Sequence, residues 1–222
     1  TNGGQSRIGA SHGNTNDWIA PMLVDPNHHM DIYSFGESVF KSSQFGGNWS
    51  TLANVGFKNS SGASLDTKLA AIANNNSKII LASRNNQLML STNGGFSFME
   101  ITADLPNTNS PSWIAFDPND DSTVVLTYDR YQNENKRVYV SHDLCKTWKN
   151  ISYNLSDMPL RTAVIGFSDS SNIYVGGERG VYYKSMSGTS WNLYNEKLPA
   201  VSIRELDIQW ATNTLRAVAW GR

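Results

Sequence analysis

The sequence predicts an all-β fold, a β-propeller of four-stranded antiparallel blades joined by a recurrent turn. Three observations lead to it. A short serine-containing motif recurs at nearly constant spacing, and a series of apolar runs recurs in step with that motif. The 222 residues also include 17 Gly, 7 Trp, 9 Tyr and 8 Phe, a composition that favours strands and tight turns over helices.

The turn motif has the pattern Ser-x-Asp/Asn/Gln-x-Gly/Cys-x-Asn/Ser/Thr-aromatic. It occurs at 42–49, 91–98 and 141–148, and a version one residue shorter occurs at 185–191. The first serines are 49, 50 and 44 residues apart, which is the period of a four-stranded blade. Thr1-Asn2-Gly3-Gly4 repeats the interior of the second copy, so we predict that the chain opens inside a fifth motif.

The second series consists of an apolar run, a turn rich in Asp, Asn or Pro, and another apolar run. Its copies begin at Pro21, Ala70, Trp113, Val164 and Leu206. Each copy predicts two adjacent inner strands. In the first four copies a third strand, the turn motif and an outer strand follow.

The predicted boundaries are a partial blade at 1–18, blades at about 19–67, 68–110, 111–160 and 161–200, and a partial closing blade at 201–222. Because the two partial blades together lack a third strand, we expect one segment of a larger propeller. Remaining blades of the same longer chain are then one expected partner.

The motif residues predict structural roles. Ser and Asp side chains bind backbone groups inside a tight turn, Gly permits a positive φ, and the aromatic residue packs between blades. We assign these roles to Ser42, Gly46, Trp49, Ser91, Asn93, Gly95, Phe98, Ser141, Asp143, Trp148, Ser185 and Trp191. Cys145 at the glycine position predicts either a φ that Cys tolerates or local strain, and the short fourth motif predicts a looser turn.

These motif residues resemble the Asp-box (BNR) repeat shared by sialidases, sortilin-type receptor domains and xyloglucanase-type glycoside hydrolases. The segment 198–222 resembles the closing segment of secreted Bacteroidetes-type propellers that carry type IX sorting domains. The resemblance implies an exported protein, secreted or on the outer cell surface. It argues against a sialidase, because Arg7-Ile8-Gly9 stands where that family has Arg-Ile-Pro.

Composition excludes several function classes. A net charge of −1 without a basic block argues against nucleic-acid binding, and no apolar stretch reaches the ~20 residues of a membrane span. A single cysteine, Cys145, excludes an internal disulfide and a multi-cysteine zinc site. His28-His29-Met30-Asp31 has the residue types of a metal cluster. However, it lies in the turn between the first two strands of a blade, which favours a solvated turn over a metal site. We therefore expect no metal and no cofactor.

We number the strands of each blade one to four in chain order and call the loop that joins strands two and three the two-to-three loop. The candidate site lies on the face formed by these loops and by the connections between blades. Its candidate ligand-binding residues are Glu37, Arg130, Tyr131, Glu178 and Arg179, because Tyr and Arg suit sugar or peptide contacts. Weaker catalytic candidates are Asp129, Glu134 and Glu178, since a glycosidase needs two facing carboxylates.

Three functions remain open at this point. The first is a secreted or surface module that binds protein or glycan. The second is a polysaccharide hydrolase of the xyloglucanase type. The third is a structural scaffold of a surface assembly. Fold alone does not choose among them.

Overall fold

A computed structural model describes residues 20–101, 105, 110–131, 135–166, 172–194, 200–209 and 211–219. Within these ranges the chain forms eighteen strands and no helix, so none of the described residues belongs to a helix able to cross a membrane. The predicted partial blade 1–18 and Glu134 lie outside the described residues. The chain divides into two compact units, Thr1–Ile101 and Thr102–Arg222.

The first unit contains two four-stranded antiparallel sheets. The strands of the first sheet are β1 (Met22–Val24), β2 (Ile32–Phe35), β3 (Ser38–Ser42) and β4 (Ser50–Asn54). The strands of the second sheet are β5 (Leu69–Ile72), β6 (Ile80–Arg84), β7 (Gln87–Ser91) and β8 (Met99–Glu100). In both sheets the strands are neighbours in chain order, and their facing apolar side chains form one core.

The second unit contains two more sheets of the same kind and one strand pair. The third sheet has β9 (Trp113–Asp117), β10 (Asp120–Thr127), β11 (Val138–Ser141) and β12 (Lys149–Asn150). The fourth has β13 (Leu160–Ile165), β14 (Asn172–Gly177), β15 (Gly180–Ser185) and β16 (Asn192–Tyr194). The closing pair is β17 (Ile203–Gln209) and β18 (Thr214–Ala219).

Side-chain alternation in the fourth sheet explains how the second unit packs. Ile173 and Val175 point to one side and share a core with the third sheet. Tyr174 lies on the other side, in a smaller core that includes Ile203 of β17. A Cβ added at Gly176 would lie 2.6 Å from the Ile203 Cγ2 atom, so the absence of a side chain there permits the close approach of β17.

The first three turn motifs use their serine in the same way. The hydroxyl oxygen accepts a hydrogen bond from the N–H four residues later, at 3.0 Å for Ser42 and 2.9 Å for both Ser91 and Ser141. In the third motif that donor is Cys145, whose φ of 65° lies in the left-handed region. Cysteine therefore adopts here the conformation that glycine adopts in the other two.

The fourth motif differs from the prediction by one residue of register. Ser42, Ser91 and Ser141 pair with second-strand residues that hold equivalent positions opposite the first strand, namely Ile32, Ile80 and Val124. Ile173 holds that position in the fourth sheet, but its partner is Lys184. Ser185 follows one residue later because the motif is one residue short.

Lys184 is buried and its Nζ donates to the carbonyls of Ser185 (2.6 Å) and Met186 (3.1 Å). The ammonium group thus satisfies two carbonyls of this turn, whereas the serine hydroxyls of the other three motifs accept a hydrogen bond from a backbone N–H.

Candidate functional site

Three segments of the second unit meet at the end of its sheets where the two-to-three loops lie. They are the β10–β11 loop, the Glu178-Arg179 turn between β14 and β15, and the start of β13. Five residues from these segments and from the approach to β17 form what we call the arginine cluster: Asp129, Tyr131, Arg161, Glu178 and Ser202.

Arg161 is the centre of this cluster. Its Nε lies 3.5 Å from Asp129 Oδ1, and its Nη2 lies 3.6 Å from Glu178 Oε1. Its Nη1 donates a hydrogen bond of 2.8 Å to Ser202 Oγ. The side chain is 17% exposed, whereas Asp129 and Glu178 are 41% and 35% exposed. A largely covered guanidinium therefore holds two carboxylates that a ligand can reach.

Tyr131 joins the cluster from the loop side. Its hydroxyl donates a hydrogen bond to Glu178 Oε2, and its side chain is 61% exposed. The bond to the carboxylate raises the pKa of Tyr131, while the positive charge of Arg179 acts in the opposite direction. Tyr131, Glu178 and Arg179 are thus close enough to interact electrostatically, although they come from two different loops.

A buried arginine anchors the loop that carries Asp129 and Tyr131. Arg137 is 2% exposed, and its Nη1 donates to Asn135 Oδ1 (2.7 Å) and to the Leu155 carbonyl (3.3 Å). Its Nη2 contacts the carboxylate of Asp157 in the connection to the fourth sheet. The C-terminal end of the loop is therefore tied to the blade connection.

The structure brings together some of the predicted site residues. Asp129, Tyr131, Glu178 and Arg179 are neighbours, and Arg130 is exposed on the same loop. Glu37 lies in the first unit, where its carboxylate accepts a hydrogen bond of 3.1 Å from Asn54 Nδ2.

Arg161 and Ser202 are the residues that sequence reasoning missed. The available signal for Arg161 was its charge, because it is the second residue of an otherwise apolar run and lies between Leu160 and Thr162, which are both buried. Nothing in that run tells which end of the sheet the side chain faces.

The arrangement suits recognition by hydrogen bonds and stacking. The carboxylates accept and the guanidinium donates, while the exposed ring of Tyr131 offers a flat surface. Both carboxylates contact the guanidinium of Arg161.

Two other groups with reactive side chains serve the fold. Burial raises the pKa of the Cys145 thiol to about 12, so it stays protonated and is a poor nucleophile at neutral pH. Asp25, His28 and Asp31 have possible ligand atoms within 4.8 Å of one another. However, Asp25 accepts hydrogen bonds from the Ser77 hydroxyl and two turn amides, and Asp31 pairs with Lys41 at 2.7 Å. A cation would have to replace these contacts.

The comparison with protein families gives one match. The family model Sortilin-Vps10, described as "Sortilin, neurotensin receptor 3", matches residues 37–205. That span covers the second, third and fourth sheets and the strands β3 and β4 of the first. No curated protein matches the chain by sequence.

Solved structures with a similar fold include three GH74 enzymes. An ancestral GH74 enzyme aligns over 90% of this chain (TM-score 0.67, 20% identity, 27% of its own length). The Niastella koreensis GH74 enzyme aligns over 77% (TM-score 0.61, 21% identity, 29% of its length). The GH74 xyloglucanase from Xanthomonas campestris aligns over 90% (TM-score 0.69, 13% identity, 35% of its length).

This chain therefore spans about a third or less of these structures, and the likeness concerns the fold alone. Together with the four antiparallel sheets, it confirms the predicted all-β propeller architecture. The matched family also confirms the resemblance to Asp-box propellers.

Proposed function

This chain belongs to the Sortilin-Vps10 family, and from that premise we propose that it is a secreted or cell-surface Asp-box propeller that binds a protein or glycan ligand. The proposed site is the arginine cluster, with Arg130 and Arg179 beside it. We also propose that residues 1–222 form one propeller segment. This segment is attached to further blades of a longer chain.

The observation that carries the proposal is the pairing of Arg161 with both Asp129 and Glu178. Two loops distant in sequence present exposed carboxylates in an orientation that one largely covered side chain maintains. Preorganised polar groups lower the entropic cost of binding, because fewer side chains must be ordered by the ligand. Tyr131 adds an exposed aromatic surface next to them.

Two probes test this function. The family description names a neurotensin receptor, and one structural neighbour is a xyloglucanase, so we would titrate neurotensin and xyloglucan oligosaccharides separately. We expect one of them to bind. We expect Arg161→Ala and Tyr131→Ala each to weaken that binding about tenfold, a change of about 1.4 kcal/mol. The triple variant of Arg130, Tyr131 and Arg179 to Ala should bind still more weakly and remain folded.

Arg216→Ala is the matched control. Arg216 is another arginine of the second unit, but it is exposed, lies on β18 and donates to Gln209. Equal loss of affinity in Arg216→Ala and Arg161→Ala would place the site elsewhere. Absence of binding by both probes would favour the scaffold function over the binding module.

A polysaccharide hydrolase is the second candidate. One observation favours it: Asp129 and Glu178 lie close enough to contact the same guanidinium, and glycosidases need two carboxylates about 5–10 Å apart. The test is release of reducing ends from xyloglucan. Loss of that activity in the Asp129→Ala and Glu178→Ala variants, with Glu134→Ala tested beside them, would support hydrolysis. Full activity in all three would exclude these residues.

A further inference from the structure

The second turn motif contains an Asn-Gly pair, Asn93-Gly94, at the position where the third motif has Asp143-Leu144. In an Asn-Gly pair the asparagine side chain reacts readily with the following backbone nitrogen, because glycine has no Cβ to obstruct the approach. Asn93 is exposed, so water, the other reactant, can reach it. The pair is therefore a candidate for spontaneous deamidation, a modification that converts asparagine to aspartate.

The reaction has two steps and needs only water. In the first step the backbone nitrogen of Gly94 attacks Cγ of Asn93, the Cγ–Nδ2 bond breaks, and Nδ2 leaves as ammonia with the proton of the Gly94 amide. The product is a succinimide ring, which a water molecule opens in the second step. Attack at Cγ restores the normal backbone with an aspartate side chain. Attack at the backbone carbonyl gives isoaspartate, in which the main chain runs through Cγ.

The native turn holds both reacting groups in hydrogen bonds. The N–H of Gly94 donates to the Lys78 carbonyl at 2.8 Å. Asn93 Oδ1 accepts from the Ser91 hydroxyl at 2.9 Å and from the Ser97 N–H at 3.0 Å, and Nδ2 donates to the Ser97 hydroxyl at 2.8 Å. These bonds must break before the nitrogen can reach Cγ, so the reaction requires the turn to open.

The third motif shows how an aspartate fits the same turn. Asp143 Oδ1 accepts from the Ser141 hydroxyl at 2.8 Å and from the Thr147 N–H at 2.9 Å, and its Oδ2 accepts from the Thr147 hydroxyl at 2.7 Å. Each bond is within 0.1 Å of its counterpart at Asn93. Only one donor differs, because the Ser97 hydroxyl accepts from Nδ2 whereas the Thr147 hydroxyl donates to Oδ2. Rotation of the Ser97 hydroxyl would therefore accommodate an aspartate at position 93.

Isoaspartate does not fit this turn. It lengthens the main chain by one atom between Cα of Asn93 and the nitrogen of Gly94. Two bonds depend on the spacing at that point, namely the Gly94 N–H to the Lys78 carbonyl and the Gly95 N–H to Ser91 Oγ, at 2.8 and 2.9 Å. Because the extra atom displaces both amides relative to their acceptors, the two bonds cannot form together as they do in the native turn.

We propose that Asn93 is a deamidation site controlled by opening of the second turn motif, and that this motif closes again around the aspartate product but not around isoaspartate. The modification adds one negative charge and gives the second motif the acidic residue of the third. The carboxylate then accepts charge-assisted hydrogen bonds, which are stronger than those of an amide. The site lies in the first unit and outside the arginine cluster, so the proposal does not depend on the proposed ligand function.

The first test measures the rate of the reaction. The full chain and a peptide of residues 88–100 are incubated at mildly alkaline pH, and deamidation of Asn93 is followed by peptide mapping. We expect the chain to react at least about tenfold more slowly, because the turn must open first. Ser97→Ala removes the partner of Nδ2 and should accelerate the reaction in the chain about threefold, the effect of one weak hydrogen bond. Thr92→Ala, at the exposed neighbour of Asn93, is the control and should leave the rate unchanged. Equal rates in chain and peptide would overturn the proposal.

The second test concerns the products. At neutral pH Asn93→Asp should unfold in urea at the same midpoint as the natural chain or a higher one, whereas Asn93→Ala should unfold at a lower midpoint. The isoaspartate fraction of the incubated chain, separated by chromatography, should show faster amide hydrogen exchange of residues 91–97 than the aspartate fraction. A midpoint of Asn93→Asp as low as that of Asn93→Ala would overturn the proposal, and so would equal exchange in the two fractions.

Discussion

The hydroxyl of Tyr131 donates a hydrogen bond to the carboxylate of Glu178, which lies 47 residues further along the chain. Tyr131 belongs to the long loop between β10 and β11, and Glu178 belongs to the two-residue turn between β14 and β15. Arg161 contacts the other carboxylate oxygen of Glu178. The long loop is therefore attached to a rigid hairpin turn of the adjacent sheet.

The first prediction concerns the ionisation of Tyr131. Glu178→Gln should lower the pKa of Tyr131 towards its ordinary value of about 10, because tyrosinate would no longer face a carboxylate. The titration can be followed by NMR of tyrosine labelled at the ring carbon that bears the hydroxyl. Glu205→Gln, an exposed glutamate on β17, is the control and should leave the pKa unchanged. An unchanged pKa in Glu178→Gln would contradict the hydrogen bond.

The repeat made the strand order predictable from the sequence. The position of Arg161 in the candidate site was not predictable, because it depends on how the strands pack. Motif spacing placed the serine turns in order, and it assigned Asp129, Tyr131 and Glu178 to loops on one face, but it did not show that they are neighbours. Arg161 was missed because a residue near the start of an apolar strand gives no sign of which end of the sheet it reaches. The position of Lys184 was missed because a serine one residue later imitates the motif.

The second prediction tests the close approach of β17 to the fourth sheet. Gly176→Ala should reduce the free energy of unfolding by about 1–3 kcal/mol, the usual cost of overpacking a filled core. The added methyl group would meet Ile203 Cγ2 and Thr162 Cγ2, both at 2.6 Å. Urea denaturation measures the change.

Gly188→Ala provides the matched comparison for this substitution. An added Cβ at Gly188 would meet its nearest atom, the Ser185 carbonyl oxygen, at 3.4 Å, which is ordinary contact. We expect a smaller loss of stability than in Gly176→Ala. A loss in Gly188→Ala equal to that in Gly176→Ala would mean that the contact with β17 has no special cost.

The third prediction concerns the acid sensitivity of the third turn motif. Hydrogen bonds from the hydroxyl and the amide of Thr147 lower the pKa of Asp143 to about 2. Because the folded-state pKa is lower than the unfolded value of 3.8, the charged carboxylate stabilises the fold above pH 4. That stabilisation is lost as the pH falls from about 4 to about 2.

Asp143→Asn should therefore be less stable than the natural chain at pH 6, and the difference should shrink as the pH approaches 2. Thermal unfolding at a series of pH values measures it. Asn93→Ala is the control, because Asn93 holds Ser97 in the equivalent position of the second motif but does not titrate. The effect of Asn93→Ala should stay constant over this pH range, and a constant effect of Asp143→Asn would refute the prediction.

The fourth prediction compares two tryptophans, one with a hydrogen bond between sheets and one with a hydrogen bond inside its own turn. Trp191 is 4% exposed and its Nε1 donates at 2.7 Å to the Ile151 carbonyl of the adjacent sheet. Trp49 donates at 2.9 Å to Gly46 within its own turn, where its surroundings are only partly buried. Trp191→Phe leaves a buried carbonyl without this donor, at a cost of about 1–3 kcal/mol, whereas Trp49→Phe exposes Gly46 to water that can replace the bond. We expect urea denaturation to show the larger loss of stability for Trp191→Phe. Equal losses would indicate that the bond between sheets contributes no more than the local one.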